Sequence, residues 1–257
     1  MSELIRLDIA PPIAELVLDN AKRLNALNLA MWEAVPGLIA RANADADVRV
    51  IIIHGGTVGH FAAGADISEF ATVYATQDGA RRAADALNLA TSAIVESPKP
   101  VIAAIEKSCM GAGMSLALAA DLRIVADGAR FSLPPAKLGA AYPYEDLRRL
   151  VDIVGAPTAS DMLLTARMIE ADEAAQIGLA SRRVGAGSAL GAAREMATGM
   201  IKLSPWAQAA GKAMLREICA GQRTETPAMR ALQVEGFLGP EFIEGQKAFF
   251  EKRPPKF

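Results

Sequence analysis

Residues that build metal and disulfide sites are scarce in this sequence of 257 residues. Its two cysteines, Cys109 and Cys219, lie far apart and show neither metal-ligand spacing nor a disulfide framework, which indicates a reducing compartment. His54 and His60 are the two histidines, too few for a histidine-rich metal centre. The sequence therefore predicts no metal site.

Long hydrophobic runs and dense basic clusters are also missing. No uncharged apolar stretch approaches the length of a membrane span, and the N-terminus lacks the basic-then-apolar pattern of a secretory signal. These absences predict a soluble, cytoplasmic protein with no membrane partner. The formal net charge of -2, without a concentration of Lys and Arg, argues against nucleic acid as a partner.

Along most of the chain, segments with the hydrophobic pattern of a strand alternate with segments that have the pattern of a helix. Continuous or alternating apolar runs predict strands at 13–19, 48–54, 101–105, 122–126 and 181–184. Helical spacing predicts helices at 28–42, with Asn28 as its N-cap, at 78–97 and 145–154, and two short ones at 158–164 and 172–177. From residue 188 onward every periodic segment is helical, so we expect an α/β core followed by a helical appendage.

The chain is organised around the stretch from Cys109 to Asp121. Here Met110-Gly111-Ala112-Gly113 follows the apolar run 101–105 and precedes an Ala/Leu/Met-rich segment, which predicts a strand, a tight turn and a helix. The first N–H groups of a helix have no partner inside it, and small residues let a ligand approach them. Such a corner suits an oxygen that becomes negative during a reaction, although a corner of this kind alone is typical of a glycine-rich turn under a buried helix.

A second small-residue corner lies at 59–67, again after a buried strand and before a predicted helix. If the two corners lie side by side, the backbone N–H groups of Ala65 and Ala112 clamp one carbonyl oxygen from two sides. Such a clamp favours enolate or tetrahedral intermediates, and loss of one donor typically costs ~3 kcal/mol of transition-state stabilisation.

These two corners, in this order and at this spacing, resemble the enoyl-CoA hydratase/isomerase (crotonase) family. The resemblance rests on 61–67, on 100–105 with Met110–Gly113 and Asp121 downstream, and on Leu138-Gly139 before a helix, and it extends to the ending 251–257. It implies an α/β fold in which a crotonase-like spiral of ββα units occupies residues 1–200. The helical C-terminal region, 201–257, would then form a homotrimer or a hexamer built from two trimers.

The resemblance also implies an acyl-CoA thioester as substrate, with coenzyme A entering as part of that substrate and no separate cofactor. The family's oxyanion hole carries over onto the N–H groups of Ala65 and Ala112, the second of which is usually glycine. A basic residue supplied by a neighbouring subunit would meet the CoA phosphates, and a solvated tail is the alternative for that residue. The implied CoA-binding residues are Arg23, Leu24, Ala26, Ala63, Asp66, Ile67, Gly111 and, as the basic residue, Lys252.

The sequence departs from the family pattern where hydratases place two glutamates that activate one water. The first position corresponds to Ser115 and the second to Pro135, which has no titratable group. Hydration by the usual mechanism therefore lacks its proton carriers, and a single-glutamate isomerase that uses the second position lacks its base.

The loop and helix that follow Leu138-Gly139 contain residues that could replace the missing proton carriers. Tyr142 is the first candidate, because a tyrosine here resembles the decarboxylating branch of the family; the alternative is a half-buried aromatic bonded to backbone. Glu145 is the second candidate, as a base or as a charge favouring its helix N-terminus. Ser115 faces the pocket as a lining or catalytic group. The other candidates are Tyr144, Asp146, Glu69 and His60.

Three functions are compatible with these residues. The first is an acyl-CoA-processing enzyme that holds a thioester enolate in a backbone oxyanion hole. The second is an acyl-CoA decarboxylase that uses Tyr142. The third is a catalytically degenerate acyl-CoA-binding protein that keeps the oxyanion hole without a working acid or base.

Overall fold

The computed structural model describes residues 4–257, in which nine strands form two β-sheets surrounded by ten α-helices. The strands are β1 (Ile5–Ala10), β2 (Ile13–Leu18), β3 (Val50–His54), β4 (Val101–Ile105), β5 (Ser108–Met110), β6 (Leu122–Ala126), β7 (Arg130–Ser132), β8 (Ile169–Glu170) and β9 (Arg182–Val184). The helices are α1 (Leu29–Ala44), α2 (Gln77–Glu96), α3 (Ala112–Ala119), α4 (Tyr144–Val154), α5 (Ala156–Thr165), α6 (Ala171–Gln176), α7 (Ala189–Met200), α8 (Pro205–Cys219), α9 (Pro227–Leu238) and α10 (Pro240–Phe250).

The larger sheet has the strand order β1-β2-β3-β4-β6-β9, and every neighbouring pair except β1 and β2 is parallel. Parallel strands covered on both faces are continuously apolar, and all residues of β3 and β4 are buried. One face, including Ile51 and Ile53, packs in the core that α1, α2 and α3 share. The other face, with Val50 and Ile52, packs against the alanines of α7.

The smaller sheet, β5-β7-β8, corrects the prediction for the central stretch. Met110 was expected in a tight turn, but it belongs with Cys109 to β5, which runs parallel to β7 with Cys109 opposite Phe131. A strand of three residues is too short to reveal its alternation in sequence, and β1, β7 and β8 were not predicted as strands either. The turn is confined to Gly111, whose φ of 47° lies in the left-handed region that favours glycine.

The remaining elements confirm the predicted α/β core and its helical ending. Each of the five predicted strands is present with its ends within two residues of the prediction, and α1 contains Pro36 without ending there. Asn28 caps α1 as predicted, with its side chain accepting a hydrogen bond from the Met31 N–H. The helices α8, α9 and α10 follow α7, while the division between residues 200 and 201 stays a prediction. Across 4–257, no helix combines the length and apolarity needed to cross a membrane.

Candidate active site

A parallel bridge between Ala62 and Cys109 joins the two strand-to-helix corners. The Ala62 N–H donates to the Ser108 carbonyl at 2.9 Å, and the Met110 N–H donates to the Ala62 carbonyl at 3.0 Å. Ala65 and Ala112 each lie three residues after a bridged residue, so the two corners begin at the same distance along the chain from the bridge. The structure thus brings the two predicted corners side by side.

Close packing between the corners requires Gly113. A Cβ atom at this position would lie 2.8 Å from the Ala62 Cβ and 3.0 Å from its carbonyl oxygen. Real Cβ atoms do not approach this closely, so a side chain here would push the corners apart.

The backbone N–H groups of Ala65 and Ala112 donate to no acceptor within residues 4–257. Ala112 is the first residue of α3, and the N–H groups that bond back to the Gly111 carbonyl are those of Met114 and Ser115. At the other corner, Gly64 and Asp66 exchange hydrogen bonds with Leu27, so the Ala65 N–H points away from that partner. Both alanines are half-buried, which leaves two unpaired donors at adjoining corners.

A loop held by Asn25 lies against the first corner. Asn25 is fully buried in a left-handed conformation, and its side chain accepts from the Asn20 N–H at 2.8 Å. The same side chain donates to the Gly55 and His60 carbonyls at 3.0 and 2.8 Å. The Leu24 carbonyl then accepts from the Ala63 N–H at 3.0 Å. Asn25 lies within the loop 23–26 that the resemblance implies for CoA binding, but its anchoring role was not predicted; the tolerance of asparagine for a left-handed backbone is the signal that favours it here.

Most of the predicted CoA-binding residues gather at this loop and corner. Arg23 Nη1 lies 3.1 Å from Asp66 Oδ1, with the Arg23 side chain 48% exposed and the Asp66 side chain 8% exposed. Asp66 also accepts from the backbone and side chain of Ser68, which caps the short 3-10 helix that starts at Ile67. The exposed side chains around the pair belong to Leu24, Ala63 and Ile67, and Ala26 is buried beneath them.

Lys252 is placed apart from that group, at the exposed end of α10, where its backbone N–H donates to the Phe249 carbonyl. Gly111 lies at the start of α3 instead, under Pro134: a Cβ at Gly111 would be 3.6 Å from the proline Cδ. Pro135 begins the short 3-10 helix that follows Pro134, and its side chain has no polar group.

Ser115 and Tyr142 meet beside the second corner. Ser115 is fully buried on α3, and its Oγ lies 3.2 Å from the Tyr142 Oη. The Tyr142 hydroxyl also donates to the Gly111 carbonyl at 3.3 Å, one residue before the free N–H of Ala112. Burial, followed by the charge of Asp146, raises the pKa of Tyr142 well above its ordinary value, so the phenol stays protonated.

Asp146, rather than Glu145, joins this cluster. Asp146 is fully buried, and its Oδ1 accepts from Arg149 Nη1 at 2.6 Å, while Oδ2 has no hydrogen-bond partner in the described part of the chain. Burial raises the pKa of Asp146, and the neighbouring Ser115 hydroxyl and Arg149 oppose that shift.

Glu145 lies on the exposed side of α4, with its side chain 48% exposed and 3.2 Å from Arg148. Its engagement with Arg148 at the surface favours the alternative, a charge at the start of α4, and a proton-carrying role for Glu145 stays a prediction. Successive helical residues point ~100° apart, so Asp146 shares the buried face with Leu150 and Glu145 does not.

Two further acid–base candidates are engaged elsewhere. Glu69 Oε2 accepts from the Leu29 N–H at 2.8 Å and so satisfies the start of α1. His60 Nδ1 lies 2.6 Å from Ser108 Oγ, and burial lowers the pKa of this histidine. Within residues 4–257, neither side chain has a hydrogen bond to Ser115 or Tyr142. Within 4–257, no group of His, Cys, Asp or Glu residues is arranged to hold a metal ion.

Comparison with known proteins defines the class to which this fold and site belong. The sequence model described as enoyl-CoA hydratase/isomerase matches residues 8–257. The chain belongs to this family, and its fold is the crotonase fold. A crystal structure of an enoyl-CoA hydratase/isomerase family protein from Hyphomonas neptunium is 50% identical and superposes with a TM-score of 0.97, covering 99% of this chain and 97% of that one.

Two relatives carry more specific names. A protein of Mycobacterium leprae named probable enoyl-CoA hydratase echA6 is 38% identical over 256 residues, with 96% of each chain covered. The peroxisomal Delta(3,5)-Delta(2,4)-dienoyl-CoA isomerase of Arabidopsis thaliana is 30% identical over 270 residues, covering 99% of this chain and 96% of its own. These relatives support an enzyme that processes acyl-CoA, and they differ in the reaction that their names give.

Proposed function

We propose that this protein stabilises the enolate of an acyl-CoA thioester between the N–H groups of Ala65 and Ala112. The proposal rests on one observation: at adjoining corners, these two backbone N–H groups have no acceptor within residues 4–257. The bridge between Ala62 and Cys109 fixes the position of one corner relative to the other. Fixed donors aimed at a developing oxyanion are worth about 2.7–4 kcal/mol each in measured cases, because they need no reorganisation during the reaction. The methyl group of Ala112, where the family usually has glycine, would lie beside the thioester.

Coenzyme A would run from the corners along the loop held by Asn25. The half-exposed Arg23 keeps part of its guanidinium free of Asp66 and suits a phosphate group. Asp66 fixes Arg23 and caps the following turn. Lys252 would add a second positive charge, supplied by a neighbouring subunit, and CoA itself remains part of the substrate, so that no separate cofactor is required.

Proton transfer is assigned to Tyr142, with Ser115 beside it. Ser115 and Pro135 occupy the positions at which the resemblance places two glutamates, and neither supplies a carboxylate. The Tyr142 hydroxyl reaches the Gly111 carbonyl at the edge of the proposed oxyanion hole. This arrangement favours isomerisation, or decarboxylation of a carboxylated acyl-CoA, over hydration. The alternative function is an acyl-CoA-binding protein that has lost its chemistry.

The assembly is proposed to be a homotrimer or a hexamer of two trimers, in the cytoplasm. Large apolar side chains on the C-terminal helices are exposed in the single chain, among them Phe249 at 79% and Phe250 at 75%. Apolar surface of this extent is typical of a protein contact, and the C-terminal helices therefore supply the proposed subunit interface.

A substrate screen by mass spectrometry tests the function. Purified protein and Tyr142→Phe are incubated with short enoyl-CoA, β,γ-enoyl-CoA and carboxylated acyl-CoA thioesters. We expect an isomerised or decarboxylated product from the wild type, lost in Tyr142→Phe while CoA binding is kept. Hydrated product at the same rate in both proteins would contradict the role of Tyr142. Tight binding without any product would favour the degenerate binder.

A further inference from the structure

We infer that a second binding site, for the carboxylate form of a medium-chain fatty acid, lies at the end of α3 away from the proposed oxyanion hole. A cavity of about 510 Å³ lies there between α4 and α8. Ala112 begins α3 and Ala119 ends it, so the rise of an α-helix separates the two ends by about 10 Å. No residue of the two corners or of the loop held by Asn25 lines this cavity, which is therefore a separate site.

The walls of the cavity are largely apolar. Five helices each contribute an apolar side chain to it, and these are Val95, Leu118, Ile153, Met200 and Leu215. Leu118 is buried, whereas Leu215 is 64% exposed. Apolar walls with a few polar groups are typical of ligand sites, whose volumes are roughly 300–1,000 Å³. The walls and the volume therefore suit an alkyl chain.

Positive charge predominates among the polar groups that line the cavity. The two acidic side chains are already paired, Asp121 with Lys212 at 2.7 Å and Asp152 with Arg148 at 2.9 Å. Arg216 forms no ion pair within residues 4–257. The five cationic side chains that line the cavity are Arg123, Arg148, Arg149, Lys212 and Arg216. This surplus favours an anion as the ligand.

Arg149 identifies the group that the anion would contact. Its side chain is 10% exposed, and its Nη1 donates to Asp146 Oδ1 at 2.6 Å. Its Nε is buried and has no hydrogen-bond partner in the described part of the chain. A buried N–H group without an acceptor is costly, and a carboxylate oxygen accepts from arginine in a strong charge-assisted bond. Because Arg149 lines the cavity, a ligand bound there can supply this acceptor.

Two like charges lie one helical turn apart on α8, at Lys212 and Arg216. Burial lowers the pKa of Lys212, Asp121 opposes this shift, and Arg216 lowers the pKa further. A bound anion would relieve the repulsion between the two side chains. Three of the five cations already have a carboxylate partner, and Arg123 donates to three backbone carbonyls. A carboxylate with a single charge therefore suits the site better than a doubly charged phosphate.

Calorimetric titration of the purified protein with sodium decanoate, below its micelle concentration, tests the inference. We expect one decanoate to bind per chain. Decyltrimethylammonium, which has an alkyl chain of the same length and the opposite charge, should not bind. Saturation with butyryl-CoA should leave decanoate binding unchanged, because the two sites are separate. Absence of decanoate binding, or its loss when butyryl-CoA is present, would overturn the inference and leave the proposed function untouched.

Three variants assign the binding to named side chains. Arg149→Lys keeps a positive charge beside Asp146 but removes Nε, so we expect about tenfold weaker binding of decanoate. Arg216→Gln should weaken binding about threefold, because a charge interaction at an exposed side chain is worth less. Arg223→Gln is the matched control: Arg223 is exposed beyond the end of α8, does not line the cavity, and should leave the affinity unchanged.

Cys219 locates the ligand without any substitution. It is exposed and lines the cavity, whereas Cys109 is buried, so Cys219 is the thiol that reacts with Ellman's reagent in the folded protein. Saturating decanoate should slow this reaction severalfold. A rate that decanoate does not change would overturn the inference. Wild-type affinity for decanoate in folded Arg149→Lys and Arg216→Gln would overturn it as well.

Discussion

Ala62 and Cys109 face each other across a parallel bridge, and this one pairing sets the relative height of the two corners. Three residues after Ala62 and three after Cys109, each segment reaches an alanine whose N–H is unpaired within 4–257. The site is thus built by backbone geometry. The sequence therefore needs small residues here, because these allow the two segments to approach closely.

Replacing Gly113 with alanine should separate the corners. The added Cβ would lie 2.8 Å from the Ala62 Cβ, so we expect a destabilisation of about 1–3 kcal/mol together with loss of turnover. Gly199→Ala is the matched control, because Gly199 lies in α7 with nothing within 4 Å of the added atom. The control should stabilise the fold by ~0.5–1 kcal/mol, as glycine to alanine does in a helix. Urea denaturation measures both, and equal behaviour of the two variants would refute the packing argument.

Arg23→Gln should weaken the binding of CoA by about tenfold, or ~1.4 kcal/mol, because a charge-assisted contact to a phosphate is lost. Calorimetric titration at low salt measures this change, and added salt should narrow the difference from the wild type. Arg82→Gln serves as control, since Arg82 pairs with Glu33 on the outer helices. Equal weakening in both variants would show that Arg23 has no specific place in the CoA site.

The stability of the fold should depend on His54 in the mildly acidic range. Gly56 N–H donates to His54 Nδ1 at 3.1 Å, so the other ring nitrogen carries the proton toward Glu15, 3.2 Å away. Burial lowers the pKa of His54, and Glu15 only partly opposes this shift.

The unfolded chain therefore binds more protons than the folded one below the ordinary histidine pKa of about 6.5. The stabilisation is present above that pH and is lost as the pH falls toward the lowered pKa of the folded state. His54→Gln should flatten the decline in the free energy of unfolding between about pH 7 and pH 5.5. His60→Gln should leave more of the decline in place, because His60 is less buried. An unchanged decline in His54→Gln would assign the effect to other groups.

The sequence was sufficient to predict what local patterns determine. The continuous apolar runs of β3 and β4 and the small residues at 59–67 and 110–113 carry their own signals. Those signals predict the α/β core with its buried strands and the two corners. The Asn28 cap likewise depends on contacts within a single turn.

What the sequence did not yield depends on long-range contacts. β5 exists because Cys109 pairs with Phe131 and Ala62, and a three-residue strand has no period of its own. Asn25 joins segments up to 35 residues away, and nothing in its neighbours indicates that. The different placement of Glu145 and Asp146 could have been predicted, since helical spacing groups position 146 with Leu150 on the buried face.

The most direct test of the central claim removes one N–H and little else. Proline is tolerated at the first position of a helix, so Ala112→Pro deletes the proposed donor at the start of α3, and Gln77→Pro makes the same change at the start of α2. The rate of deuterium exchange at the α-carbon of butyryl-CoA is then compared with the wild type. We predict a loss of about 100-fold to 1,000-fold in Ala112→Pro, with CoA binding retained, and no loss in Gln77→Pro. Wild-type exchange in a folded Ala112→Pro protein would contradict the assignment of an oxyanion hole at these corners.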